Sequence, residues 1–86
     1  MLETILKNET LLNVISDYEM EIIAIKGNII YLCDLQEDKI NEWDINSLLN
    51  FFIDQYKNKL NYDCDSEYLQ NVLYELLMLR KNLTIN

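Results

Sequence analysis

The sequence contains no proline and a single glycine, which argues against linkers, disordered segments and a disulfide scaffold. It also contains no histidine, and this excludes histidine metal sites and the Ser-His and Cys-His pairs of nucleophilic catalysis. No glycine-rich phosphate loop is present. A chain of 86 residues with one glycine also has little room for a pocket that would raise the pKa of a carboxyl group for catalysis. We therefore expect a protein that is not an enzyme and that binds no cofactor and no metal.

Long apolar runs are missing too, so the sequence predicts no membrane-spanning segment. The first ten residues, MLETILKNET, lack the basic and apolar regions of a signal peptide. The abundance of Asn, Ile, Lys, Tyr and Leu is typical of AT-rich genomes, such as those of low-GC bacteria and their phages. We expect a cytoplasmic protein in a bacterial host cell, with Cys33 and Cys64 as reduced thiols.

Basic residues are few, with 7 Lys and Arg against 15 Asp and Glu, which gives a net charge of −8. Without a basic stripe to neutralise phosphates, direct binding of nucleic acid is not expected. A basic protein partner, by contrast, would be steered rapidly toward such a chain. The alternative is that the negative charge only keeps a small protein soluble.

The strongest structural signal is a hairpin over residues 19–35. Two apolar runs flank Gly27-Asn28, a glycine-first pair that is typical of a type II′ turn, with strands near 19–26 and 29–35. Strict alternation then divides the side chains between two faces. One face carries Met20, Ile22, Ala24, Lys26, Ile29, Tyr31, Cys33 and Leu35, and the other carries Glu19, Glu21, Ile23, Ile25, Ile30, Leu32, Asp34 and Gln36.

The remaining segments read as helices and one short strand. The pattern over residues 2–16 predicts a first helix that a cap at Thr10 would split, with a strand over residues 11–15 as the alternative. The pattern over residues 39–43 predicts a third strand. Asp44 is an N-cap for a helix over about 45–60, and Asp65 or Ser66 caps a last helix over about 66–82. The order predicts a single α+β domain over 1–86, with a small antiparallel sheet packed by an N-terminal helix and two C-terminal helices.

The last helix is apolar around much of its circumference. Its main stripe runs from Leu69 to Leu83, and it is widened by Tyr68, Tyr74, Leu77 and Met78. A helix of this kind is either central or covered by another chain. One hypothesis is therefore a homodimer through this helix. A related hypothesis is a small homo-oligomeric interaction module that associates through this helix or through the hairpin patch of Ile23, Ile25, Ile30 and Leu32.

Eleven of the fifteen acidic residues fall into three groups. Residues 34–44 hold Asp34, Glu37, Asp38, Glu42 and Asp44; residues 17–21 hold Asp17, Glu19 and Glu21; residues 63–67 hold Asp63, Asp65 and Glu67. The hairpin should bring the first two groups together. The third group resembles the start of a calcium loop, but Tyr68 and Tyr74 stand where that loop needs Gly and Glu, so capping explains it better. The alternative for all three groups is that their carboxylates are ordinary hydrated surface charges with no binding role.

A small, acidic, proline-free chain ordered α-β-β-β-α-α resembles certain phage-encoded anti-CRISPR inhibitors, including DNA mimics that occupy the PAM-reading site of type II-A nucleases. The resemblance lies in layout, length and charge and involves no shared motif. It implies an inhibitor that blocks the basic nucleic-acid channel of a CRISPR effector or another nuclease. The partner-binding candidates are Glu19, Glu21, Asp34, Glu37, Asp38, Glu42, Asp44, Asp63 and Asp65, with Glu37, Asp38, Glu42 and Asp44 first.

A second hypothesis is that the protein is an immunity protein or antitoxin for a basic nuclease toxin. It would bind its partner by the same attraction between an acidic and a basic surface. An adjacent toxin gene would favour immunity, whereas a phage operon would favour counter-defence.

Overall fold

The computed structural model describes residues 2–84, with side chains from residue 4 to residue 83. Along the chain lie α1 (Leu2–Lys7), α2 (Glu9–Asp17), β1 (Met20–Lys26), β2 (Ile29–Asp34), β3 (Lys39–Asp44), α3 (Ile45–Tyr62) and α4 (Glu67–Thr84). The predicted α+β class is confirmed, and so is the third strand, because the sheet is antiparallel with the order β1-β2-β3. Two compact units divide the chain, a sheet unit that ends at Ser47 and a helical unit that begins at Leu48. That the whole chain is one domain stays a prediction.

The N-terminal helical segment of the sheet unit is broken as predicted, but at a different residue. Asn8, not Thr10, caps α2, because its side-chain Oδ1 accepts a hydrogen bond from the backbone amide of Leu11 at 2.9 Å. That amide is one of the donors that the first turn of a helix leaves without an intrahelical partner. The helix then buries one apolar face, made of Leu11, Val14 and Ile15.

The β1–β2 hairpin turns at Gly27, whose φ is +60°, whereas Asn28 has no positive φ. This pattern matches a type II′ turn and excludes type I′, which needs positive φ at both central residues. The register next to the turn is as predicted, with Lys26 opposite Ile29 and Ala24 opposite Tyr31.

Farther from the turn the predicted register is wrong, because β1 contains a bulge between Ile22 and Ala24. Ile23 is the extra residue, and its side chain is 52% exposed. Beyond the bulge Ile22 pairs with Leu32 and Glu21 pairs with Cys33. The one-residue shift exchanges the faces of every earlier side chain on the strand.

The second hairpin closes through the carboxylate of Asp34. Its Oδ1 accepts hydrogen bonds from the backbone amides of Gln36 at 2.9 Å and Glu37 at 3.2 Å. The chain then turns through Asp38, which has a φ of +55° and donates its amide to the Asp34 carbonyl at 2.8 Å. Asp is among the few residues other than Gly that tolerate this conformation. Strand β3 follows, and the buried face of the sheet is centred on the fully buried Ile30 and Leu32 of β2.

The helical unit contains most of α3 and all of α4. Arg80 in α4 donates to the side chain of Asn50 in α3 at 2.7 Å. Because this bond joins the end of one helix to the start of the other, the two helices run antiparallel. Ser66 caps α4, since its Oγ accepts from the Leu69 amide at 3.2 Å. The buried side chains of this unit are Leu48, Leu49, Phe52, Ile53, Tyr56, Val72, Leu76 and Leu79.

The homodimer stays a prediction. The hairpin patch proposed as an alternative interaction surface is wrong as a set, because Ile30 and Leu32 are fully buried. Most of the apolar stripe proposed for it on α4 is buried or half-buried, and three of the four side chains expected to widen the stripe, Tyr68, Tyr74 and Met78, are exposed. Among residues 2–84, no helix combines the length and the apolar character needed to cross a membrane.

Candidate functional site

Eight of the nine predicted partner-binding carboxylates are exposed, and Asp34 is half-buried. Seven of the nine belong to the sheet unit, where the strand register places them in two separate groups. The turn-end cluster consists of Glu19, Asp34, Glu37 and Asp38. The open-face carboxylates are Glu21, Glu42 and Asp44.

The turn-end cluster forms because the start of β1 meets the β2–β3 turn. The Leu35 amide donates to the Glu19 carbonyl at 2.9 Å, and the Gln36 side-chain amide donates to the Glu19 carboxylate. The two acidic sequence groups therefore meet, as the hairpin predicts. Lys39 pairs with Asp34 in the register and is the basic residue of this end of the sheet.

Glu19 has a backbone conformation that usually belongs to glycine. It follows the C-terminus of α2 with a φ of +57°, and its amide closes the helix by donating to the Ser16 carbonyl at 2.9 Å. Helices commonly end on a glycine in this left-handed conformation, and a side chain there costs on the order of 1 kcal/mol. Helix termination alone therefore gives no reason for a glutamate at this position.

The open-face carboxylates are brought together by the bulge. Glu21 pairs with Cys33, Glu42 with Tyr31 and Asp44 with Ile29, and alternation along β2 puts these three partners on one face. Strict alternation predicts Glu21 on the same face as Asp34, and this prediction is wrong, because Asp34 pairs with Met20 on the buried face.

The centre of the open face is apolar. Tyr31, Cys33 and Ile29 are half-buried, and Ile40, which pairs with Cys33, is 61% exposed. The Lys26 ammonium lies 5.7 Å from the centroid of the Tyr31 ring. Glu21 on β1 and Glu42 on β3 flank this centre diagonally, because across β2 Glu21 is in register with Ile40 and Glu42 with Ala24. The two strands that carry them are about 10 Å apart, two strand spacings.

Some of the candidate carboxylates also have structural roles. Asp34 closes the β2–β3 turn, and Asp44 caps α3, as predicted, by accepting from the Ser47 amide at 3.2 Å. Glu37, Asp38 and Glu42 have exposed side chains that no described cap or turn uses. Building the fold therefore accounts for the first two carboxylates and leaves the other three to be explained.

Asp63 and Asp65 lie in the loop before α4 and belong to the helical unit. The Asp65 carboxylate lies 3.9 Å from the Cys64 thiol. Both cysteines, Cys33 and Cys64, are free, as predicted. Within the part of the chain that the structure describes, no three His, Cys, Asp or Glu side chains are grouped to hold a metal ion.

Charge divides unevenly between the two units. The sequence up to Ser47 holds ten acidic and three basic residues, a net charge of −7, and the remainder holds five and four, a net charge of −1. Sequence reasoning found the acidic groups and put Ile29, Tyr31 and Cys33 on one face of the hairpin, but it missed a groove lined by Leu6 and Leu35. The only local signal for the groove was that apolar residues flank polar turns at both positions.

Comparison with protein-family models, with curated proteins and with solved structures finds no match for this chain.

Proposed function

We propose that the protein is a non-enzymatic inhibitor that binds the basic nucleic-acid-binding surface of a partner protein and competes with the nucleic acid for it. The partner class that we favour is a CRISPR effector nuclease, in line with the resemblance to anti-CRISPR proteins. The observation that carries the proposal is the concentration of a net charge of −7 in the sheet unit, with Glu37, Asp38 and Glu42 exposed.

The sheet supplies a rigid spacing for this charge. Glu42 and Asp44 are two residues apart on one face of β3, so their positions differ by about 7 Å along the strand. Successive phosphates of one DNA strand differ by a rise of about 3.4 Å and by a rotation about the helix axis, so their direct separation exceeds the rise and is comparable with that of the two carboxylates. Lys and Arg side chains arranged for a phosphate backbone would therefore meet acceptors at compatible intervals.

Inhibition of DNA cleavage by an RNA-guided nuclease from a low-GC bacterium tests the proposal. The protein is added before or after the target DNA, and the cleaved fraction is measured. A competitor of the nucleic acid should protect DNA when added first, should be outcompeted by excess short duplex, and should weaken as salt rises. The proposal is wrong if the wild-type protein leaves cleavage unchanged in both orders of addition.

The quadruple variant E37Q/D38N/E42Q/D44N should abolish inhibition and keep the fold. Asn at position 44 retains an oxygen that caps α3, and Asn at position 38 tolerates the positive φ. Circular dichroism and thermal unfolding check the fold. If the folded quadruple variant inhibits as well as the wild type, the charge mechanism fails.

A matched pair separates position from total charge. The variants E37Q/E42Q and D54N/E75Q each remove two exposed charges, the first pair from the sheet unit and the second from the helical unit. Inhibition should weaken with the first pair only. Equal weakening by both would show that net charge, and not the sheet surface, is responsible.

A further inference from the structure

The sheet unit contains an apolar groove that the charge mechanism does not use. It has a volume of about 540 Å³ and is lined by Leu6, Leu12, Ile15, Ser16, Met20, Glu21, Ile22 and Leu35. A volume of this size lies within the range of sites that hold a small ligand or a few side chains. The three consecutive residues of β1 alternate in direction, so the strand backbone forms part of the wall.

The rim of the groove leaves large apolar side chains in water. Leu6 is 49% exposed and Leu35 is 57% exposed, although α2 and β1 bury other apolar residues nearby. Exposed apolar area around a concavity is the usual property of a binding surface, whereas single exposed residues on a convex surface need no explanation.

The charge around the groove indicates what kind of segment fits it. Asp17 and Glu19 lie between the α2 and β1 walls of the groove in the sequence, and the chain from Asn8 to Ile25 contains no Lys or Arg. Glu21 is part of the strand wall, and its side chain lies on the open face. Leu35 follows Asp34 and adjoins the turn-end cluster. Lys7, next to Leu6, is the basic residue of this rim. The surroundings of the groove are thus predominantly negative.

We infer that this groove anchors the basic partner by accepting a short segment that presents a large apolar side chain between Lys or Arg residues. The apolar side chain fills the space between Leu6, Leu12 and Leu35, while the flanking cations lie against the turn-end cluster. This inference rests on the proposed function for the charge of the partner, and it adds that recognition requires an apolar anchor as well.

Three labelled synthetic peptides of equal length separate the two requirements. The first places leucines between lysines, the second replaces the leucines with serine, and the third replaces the lysines with glutamine. Fluorescence anisotropy measures their binding to the full chain. The leucine–lysine peptide should bind about tenfold or more tightly than the serine–lysine peptide, as expected for burial of one large side chain.

The variants Leu6→Gln and Leu35→Gln should remove that advantage and leave the serine–lysine peptide unaffected. Ile40→Gln is the matched control, because Ile40 is exposed in the same unit and does not line the groove. Amide chemical shifts of the wild-type protein provide a second measurement that needs no substitution, and the shifts that move on binding should include those of Leu12, Met20 and Leu35.

Each outcome decides between the two claims. If the serine–lysine peptide binds as well as the leucine–lysine peptide and the groove variants change nothing, the groove inference fails and the charge proposal stands. If the leucine–glutamine peptide binds as well as the leucine–lysine peptide, lysines do not contribute to binding, and the proposal that the partner is basic is wrong. If sedimentation shows a dimer that Leu35→Gln dissociates, a second copy occupies the groove and the inference is overturned.

Discussion

The sheet unit and the helical unit contain similar chemistry in their buried parts and different chemistry on their surfaces. Each buries aliphatic side chains almost completely, such as Leu32 in the sheet unit and Leu76 in the helical unit. The first, however, carries a net charge of −7 and the second a net charge of −1. The difference teaches that the negative charge of this protein is concentrated in one unit and is not spread evenly along the chain.

Core substitutions test whether the two units share their stability, and they should have the largest effect. Leu32→Ala and Leu76→Ala should each lower the free energy of unfolding by about 2–5 kcal/mol, because each removes a fully buried side chain and leaves a cavity. Urea unfolding followed by circular dichroism and by tyrosine fluorescence measures both. Two separate transitions in either variant would show that the units unfold independently.

The second comparison is between the hairpin turn at Gly27 in the sheet unit and the helix cap at Ser66 in the helical unit. Gly27→Ala should cost about 1–2 kcal/mol, because φ is +60° and an added Cβ meets no atom within 4 Å, so the cost is conformational and not steric. Ser66→Ala should cost about 1 kcal/mol through loss of the α4 cap. Thermal unfolding measures both. A neutral Gly27→Ala variant would contradict the assigned turn, and Gly27→Asn, which tolerates positive φ better, is the control.

Removal of surface charge should act with opposite sign in the two units. In low salt the triple variant E37Q/D38N/E42Q, which leaves the α3 cap at Asp44 intact, should raise the free energy of unfolding by about 0.5 kcal/mol, because like charges along a sheet repel. Loss of Glu67 in the first turn of α4, by E67Q, should lower it by about 0.3–1 kcal/mol. Both effects should shrink in high salt. Stabilities that do not depend on salt would contradict the charge comparison.

A substitution at the bulge in β1 should have the smallest effect on the free energy of unfolding. Ile23→Thr should change the free energy of unfolding by no more than about 0.5 kcal/mol, since the side chain is 52% exposed. Under strict alternation Ile23 would share the buried face with Ile30 and Leu32, and the same change would cost several times more. Chemical denaturation of this variant beside Leu32→Ala distinguishes the two registers.

Much of this fold could be predicted because its signals are local. The two apolar runs around Gly27-Asn28 specify a hairpin, and Asp44 and Ser66 specify helix starts, whatever the rest of the chain does. The meeting of residues 19–21 with residues 34–37 follows from the hairpin alone. These parts of the prediction needed only turn chemistry and periodicity.

The bulge could not be predicted, because nothing in the run Ile22-Ile23 distinguishes a regular strand from a bulged one. The outcome depends on the buried face, where the bulge puts Ile22 beside the fully buried Leu32 and leaves Ile23 exposed. This tertiary preference outweighs local alternation. The bulge also puts Glu21 on the open face with Glu42 and Asp44. A one-residue error in the predicted strand register therefore changes which carboxylates belong to the candidate site.

The same bulge sets a rule for comparing this chain with any relative. If a sequence lacked the residue at position 23, every other pair in the ladder would stay in place and the strand would simply become regular. An insertion or deletion inside a strand is normally treated as an alignment error, yet here a gap at that position is the structurally correct choice. An ungapped alignment would assign acidic residues to the wrong side of the sheet throughout the start of β1.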